Sequence, residues 1–122
     1  MVHEHKIVVE KINAACANGD TEAFLSFLTD DATWEMVGDK SLVGKEAIRQ
    51  FMLPMGADIP KFTVANIIAE GDFAMGHGNM QMKGEDGITH PYAYCDIYHF
   101  NNDKVSKITT FVKQTNIKQT NA

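Results

Sequence analysis

A chain of 122 residues with 44% apolar and 22% charged residues has the composition of one globular domain, 1–122, large enough to bury a core without staples. Its formal charge of -5, with no cluster of Lys or Arg, argues against a nucleic-acid partner, because phosphate binding needs a basic face. No apolar run approaches the ~20 residues of a membrane span, and "MVHEHKIVVEK" lacks a signal-peptide core. Cys16 and Cys95 are too few for a disulfide framework and suit small buried groups in a reducing compartment, so the expected location is cytoplasmic.

The first predicted element is a helix over "EHKIVVEKINAACANGD", where Val8, Ile12, Ala15 and Cys16 share a stripe. Asn18-Gly19 stops it, and Asp20 can cap the next helix by accepting from an exposed backbone N–H. That short second helix is expected to show Phe24, Phe27 and Leu28 on one side. A strand follows at "ATWEM", with Trp34 and Met36 alternating around Glu35. "GKEAIRQFM" is a third helix with Ala47, Ile48, Phe51 and Met52 on one face, ended by Pro54.

From Phe62 onward the pattern is one of strands. "KFTVANIIAEGD" turns at Glu70-Gly71-Asp72, "FAMGHGNMQMKGEDG" at its last four residues, and "HPYAYCDIYHFNND" at Asn101-Asn102-Asp103; "KVSKITTFVKQ" is last. Helices followed by hairpin-linked strands predict an α+β domain with an antiparallel sheet packed on three N-terminal helices.

Strand alternation puts Tyr94, Asp96, Tyr98 and Phe100 on one face and Cys95, Ile97 and His99 on the other. Asp96 stands out, since Asp is disfavoured in strands and a carboxyl facing an apolar space needs partners or a proton. In "GHGNMQM", Met80 and Met82 share a face with Gly76 and Gly78, which sends Met75, His77, Asn79 and Gln81 outward. A bulge at either glycine would reverse that parity and bring His77 inside. His3 and His5 fall in an expected frayed terminus, and His90 at an exposed strand start. Met36, Met52, Met55, Met75, Met80 and Met82 suit either a soft cavity wall or ordinary core filling. No HExxH, CxxC, nucleophile elbow or phosphate loop occurs, so no metal and no cofactor is expected.

"NGDTEAFLSFLTDDATWE", "VGKEAIRQF" and "YCDIYHFNNDKVSKITTF" together resemble the nuclear transport factor 2-like superfamily, in its SnoaL-like and ketosteroid isomerase-like branch. The resemblance runs from about Val8 to Ile117. It implies a strongly bent, cone-shaped sheet (NTF2-like or cystatin-like) wrapped around the helices, with a cavity at the open end. It also implies a homodimer through the sheet's outer face, around Met75, His77, Ile97, His99 and Phe111. Trp34 and Met36 would then line the cavity with Phe51, Met52, Met80, Tyr94 and Tyr98, although the same pattern serves a plain core.

Ketosteroid isomerases use a carboxylate base, a tyrosine and a protonated aspartic acid. The resemblance places these at Met36, Ile12 and Asp96, so two of the three working groups are missing and steroid isomerisation by that route is not expected. The epoxide-hydrolase branch pairs an arginine with an aspartate two residues on, and Tyr94 stands in the arginine's place. Two readings remain open. One is a SnoaL-like isomerase, cyclase or dehydratase acting on a small apolar molecule through Asp96. The other is a non-catalytic dimeric binding or interaction module on the same cone.

Overall fold

The computed structural model describes residues 2–55 and 60–115. The chain runs through α1 (Val2–Ala17), α2 (Thr21–Ser26), β1 (Leu28–Met36), β2 (Lys40–Val43), α3 (Lys45–Met52) and a 3-10 turn (Leu53–Met55). β3 (Lys61–Glu70), β4 (Phe73–Lys83), β5 (Thr89–Asn101) and β6 (Lys104–Gln114) follow. The six strands form one sheet in the order β2-β1-β6-β5-β4-β3, antiparallel throughout except where β1 runs parallel to β6. The sheet curls around the helices, with α1 against β3 and β4, and α3 against β1 and β2. The expected α+β cone is the fold observed.

The core forms where the helical stripes meet the concave face of the sheet. Val9, Ile12 and Ala15 of α1 pack with Phe24, Leu25, Ile48 and Met52 of the shorter helices, and with Ala74, Tyr98, Phe100, Val105 and Ile108 of the strands. Gly19 adopts φ 69° and lets the chain leave α1, while Asp20 accepts from the Ala23 N–H at 3.1 Å to start α2. Arg49 of α3 clasps the Glu22 carboxylate with two nitrogens at 2.8 and 3.1 Å, tying α2 to α3.

Several local expectations are corrected. Leu28 is not on α2: the helix ends at Ser26 with Phe27 as its cap, and Leu28 opens β1 opposite Val105 of β6. The strand therefore begins four residues before Ala32, because the Val105 N–H donates to Phe27 O at 2.9 Å and draws this segment into the sheet. β2 is an additional edge strand that pairs Trp34 with Leu42; its four residues are mostly exposed and show no apolar alternation. Pro54 sits inside the 3-10 turn that continues α3.

His5 is not frayed. It is 4% exposed, stacks on Phe100 at 4.0 Å, and places Nδ1 and Nε2 each 3.1 Å from the carbonyl oxygens of Gly71 and Asn102. It thereby fastens the start of α1 to the β3–β4 and β5–β6 turns. The side chain of His3 and the end of the family resemblance at Ile117 lie outside the described residues. His90 is half-buried within β5, with Nε2 3.0 Å from Asp86 Oδ2.

The two strand glycines do different work. The bulge lies in β3, where pairing slips between Val64 and Asn66, so β4 keeps its parity and His77 stays on the outer face. Gly78 faces that bulge: a Cβ there would lie 1.9 Å from the Thr63 carbonyl oxygen. At Gly76 a Cβ would meet only Val9 and Ile67 side chains, at 3.9 Å. Gly78→Ala is expected to cost about 1–3 kcal/mol or more, because backbone must shift, while Gly76→Ala is tolerated. Urea unfolding of both variants checks this, and equal midpoints would contradict it.

Candidate active site

A cavity of about 260 Å³ opens between the helices and the concave face of the sheet. Its wall is mostly apolar. Trp34 and Met36 come from β1, Phe51 and Met52 from α3, Met55 from the turn, and Met80 and Met82 from β4. Phe24, Trp34 and Phe51 form an aromatic run, with ring centroids 5.7 and 5.9 Å apart. Tyr94, Asp96 and Tyr98 line the cavity from β5, as alternation requires. All eight residues singled out from the sequence therefore meet in one space: Asp96, Trp34, Met36, Phe51, Met52, Met80, Tyr94 and Tyr98.

Of the six methionines weighed as wall or core, five line the cavity, and Met75 lies on the outer face beside His77 and Phe111. Ile12 is 1% exposed in the core and is not among the cavity-lining residues. Cys16, Asn13, Phe62 and Thr110 also line the cavity and were not foreseen as site residues.

Thr110 matters most among these. Its hydroxyl lies 2.6 Å from Asp96 Oδ1 and accepts from the Trp34 indole N–H at 2.8 Å. The Tyr98 hydroxyl lies 3.5 Å from Asp96 Oδ2, at the outer limit of a hydrogen bond. The Tyr94 hydroxyl oxygen is buried and has no hydrogen-bond partner among the described residues. Such an unmet group costs on the order of 1–3 kcal/mol, so a ligand or water that reached it would be favoured.

Burial pushes the Asp96 carboxyl up from its ordinary 3.8 to about 6, against the opposing pull of the Thr110 and Tyr98 hydroxyls. Tyr94 is pushed up to about 12, first by burial and then by the Asp96 charge, and Cys16 to about 12 for the same two reasons. The Cys16 thiol is therefore un-ionised at neutral pH and unsuited to act as a nucleophile. Asp96 is the one carboxyl on the cavity wall among the described residues, and its proton is the one exchangeable near pH 6 there.

A curled, mostly antiparallel sheet closed by three helices is the architecture shared with NTF2-like proteins. The chain belongs to the SnoaL-like domain family, whose profile matches residues 9–108. No curated protein matches it. Among solved structures, it is similar to an NTF2-like protein of unknown function from Cytophaga hutchinsonii, at 24% identity over 88% of this chain and 98% of that one, with a TM-score of 0.75. It also resembles an LEH-like epoxide hydrolase of M. tuberculosis, at 16% identity over 92% of this chain and 84% of that one, with a TM-score of 0.80. A third is SalBIII, an epoxide hydrolase/cyclase-like enzyme of pyran ring formation in the polyether salinomycin, at 17% identity over 91% and 92% of the two chains, with a TM-score of 0.80. Identities this low establish the shared fold. No helix among the described residues is long and apolar enough to cross a membrane.

The raised Asp96 value has a consequence for stability. The folded carboxyl holds its proton more tightly than the unfolded one, so no penalty exists below pH ~4, where both are protonated. It grows as pH rises from the unfolded value of 3.8 to the folded value of about 6, and is complete above that, at roughly 3 kcal/mol. Asp96→Asn removes this term. The stability of the Asn variant relative to wild type is expected to rise by up to that amount between pH 4 and pH 7. Parallel pH profiles of the two proteins in chemical denaturation would contradict it.

Proposed function

We propose that the cavity binds a small, predominantly apolar molecule carrying an acceptor oxygen, and that Asp96 hydrogen-bonds to that oxygen or exchanges a proton with it. The observation that carries this reading is a carboxyl, the one on the cavity wall among the described residues, raised to about 6 in mostly apolar surroundings. Near that value both protonation states are accessible, as general acid–base work requires. The cavity lies just below the ~300 Å³ where ligand pockets usually begin, which favours a small molecule. The unmet Tyr94 phenol supplies a second donor facing the same wall. Trp34, Phe51 and the methionines supply a surface that adapts to an apolar skeleton. The reaction classes in keeping with this are isomerisation, cyclisation and dehydration, each of which moves a proton at a carbon or oxygen centre.

One observation favours a non-catalytic binding protein instead. On the family resemblance Met36 and Ile12 stand where the isomerases keep their base and tyrosine, and among the described residues no second carboxyl lines the cavity with Asp96. Epoxide hydrolysis is the weaker enzymatic reading, because Tyr94 cannot supply the fixed positive charge of the arginine whose place it takes.

Two variants separate these readings. Asp96→Asn keeps a donor and the shape, so it should retain binding of small alicyclic or aromatic ketones in a calorimetric panel. Asp96→Leu should weaken binding by about 1–3 kcal/mol, the usual cost of an unsatisfied buried partner. If Asp96 transfers a proton, Asn is as damaging to turnover as Leu. Binding indifferent to both substitutions would end the proposal.

The same reading includes a homodimer through the outer face. Met75, His77, Cys95 and Phe111 line a groove there, Phe111 is 45% exposed, and Phe73 stacks on His99 at 4.5 Å while remaining 51% exposed. A solvated face carries less apolar surface than this. Sedimentation velocity at micromolar concentration is expected to give the mass of two chains; a monomer throughout would overturn it.

A further inference from the structure

The hydroxyl of Thr110 sits between two groups of fixed chemical character. An indole N–H can only donate, so the Trp34 contact at 2.8 Å occupies a lone pair of Oγ1. The hydroxyl has one proton of its own, and Asp96 Oδ1 at 2.6 Å is the acceptor available to it among the described residues. Were Asp96 to donate from Oδ1 instead, Oγ1 would accept twice and its own proton would lack an acceptor. The arrangement that satisfies both Trp34 and Thr110 makes Oδ1 an acceptor in both protonation states. Among the described residues Oδ2 meets only the Tyr98 hydroxyl, at 3.5 Å.

We propose that Trp34 and Thr110 are positioning residues that orient the Asp96 carboxyl so that Oδ2 is the oxygen that gains and loses the proton. This rests on the reading of Asp96 as the working group of the cavity. In the forward sense the Oδ2–H bond breaks, the proton passes to the acceptor atom of the ligand, and the carboxylate that remains keeps its Thr110 hydrogen bond on Oδ1. The reverse step returns the proton to Oδ2. A rotating carboxyl would present either oxygen; this one presents a single oxygen, and binding costs no reorientation.

The wiring depends on sheet register. β6 places Thr110 beside Asp96 of β5 on one side and Met36 of β1 on the other, and Trp34 lies opposite Ile108 two residues back along the same parallel pair. The other ionisable groups whose titration feels the Asp96 charge are Cys16 of α1 and Tyr94, Cys95 and Tyr98 of β5, all of them pushed upward and un-ionised at neutral pH. None of them competes for the Thr110 proton near pH 6.

Infrared difference spectroscopy of the ligand-free protein, titrated across the Asp96 range, tests this without any ligand. The carbonyl band of the protonated acid is assigned by its loss in Asp96→Asn. In the wild type it should lie at the lower frequency of a carbonyl oxygen that accepts one strong hydrogen bond. Thr110→Val should move the band up and raise the apparent Asp96 pKa, since the lost bond favoured the charged form. Thr110→Ser should restore both. Trp34→Phe should move both in the direction of Thr110→Val by a smaller amount, and it carries the test should the valine variant fail to fold. A wild-type band already at the frequency of a free carbonyl, or variants that alter melting but leave band and titration in place, would overturn the proposal. If the band shifts as stated yet no ketone binds, the positioning stands and the ligand reading falls.

Discussion

A carboxyl surrounded by apolar side chains is the most constrained group in this molecule. Its charged form loses water, and among the described residues the hydroxyls of Thr110 and Tyr98 are the hydrogen-bond partners it gains in return. The Thr110 bond opposes the desolvation without cancelling it, which leaves Asp96 between the fully ionised surface aspartate and the permanently protonated acid. That intermediate position depends on the whole sheet. β1 must lie parallel to β6 for Trp34 to reach Thr110, and β5 must meet β6 in the register that sets Thr110 opposite Asp96. The fold therefore fixes the electrostatics of the site as well as its shape.

The rest of the cavity is consistent with a ligand that brings little charge of its own. Among the described residues no cationic side chain lines it; Lys40 lies over the Phe51 ring, 5.2 Å from the centroid, with Phe51 forming the wall. Five methionines give a surface that can change shape at low cost, whereas the aromatic run through Phe24, Trp34 and Phe51 is fixed by mutual packing. A rigid side and a pliable side facing one exchangeable proton suit recognition of a polar point on an apolar body. Such an arrangement fits either a binding protein or a proton-transfer enzyme, and the behaviour of Asn at position 96 separates the two.

Much of this was legible in the sequence, because hairpin turns and period-2 alternation report directly on which face a strand residue occupies. Alternation put Tyr94, Asp96 and Tyr98 on one face, and counting back from Met80 and Met82 put Gly76 and Gly78 on theirs; the family resemblance supplied the cavity that these faces meet. Thr110 was hidden by a register shift. Counting straight back from Asn101 and Lys104 pairs Asp96 with Thr109, on the opposite face; the irregularity between His99 and Phe100 advances the pairing by one and brings Thr110 alongside. β2 escaped because a short exposed edge strand has no apolar period to detect. His5 escaped because its role depends on two carbonyl groups 66 and 97 residues away. Ile12, which the resemblance set at the isomerases' tyrosine, is buried core here.

Everything in the site turns on Asp96, whose carboxyl burial holds above the ordinary carboxylate range, at about 6. The carboxyl-carbon chemical shift of Asp96, followed by NMR in the ligand-free protein with Asp96→Asn for assignment, measures that state directly. The account predicts a single titration centred near pH 6, about two units above an exposed aspartate. A carboxyl that titrates near pH 4 would show that water reaches it freely, and the cavity would then lose its chemical centre.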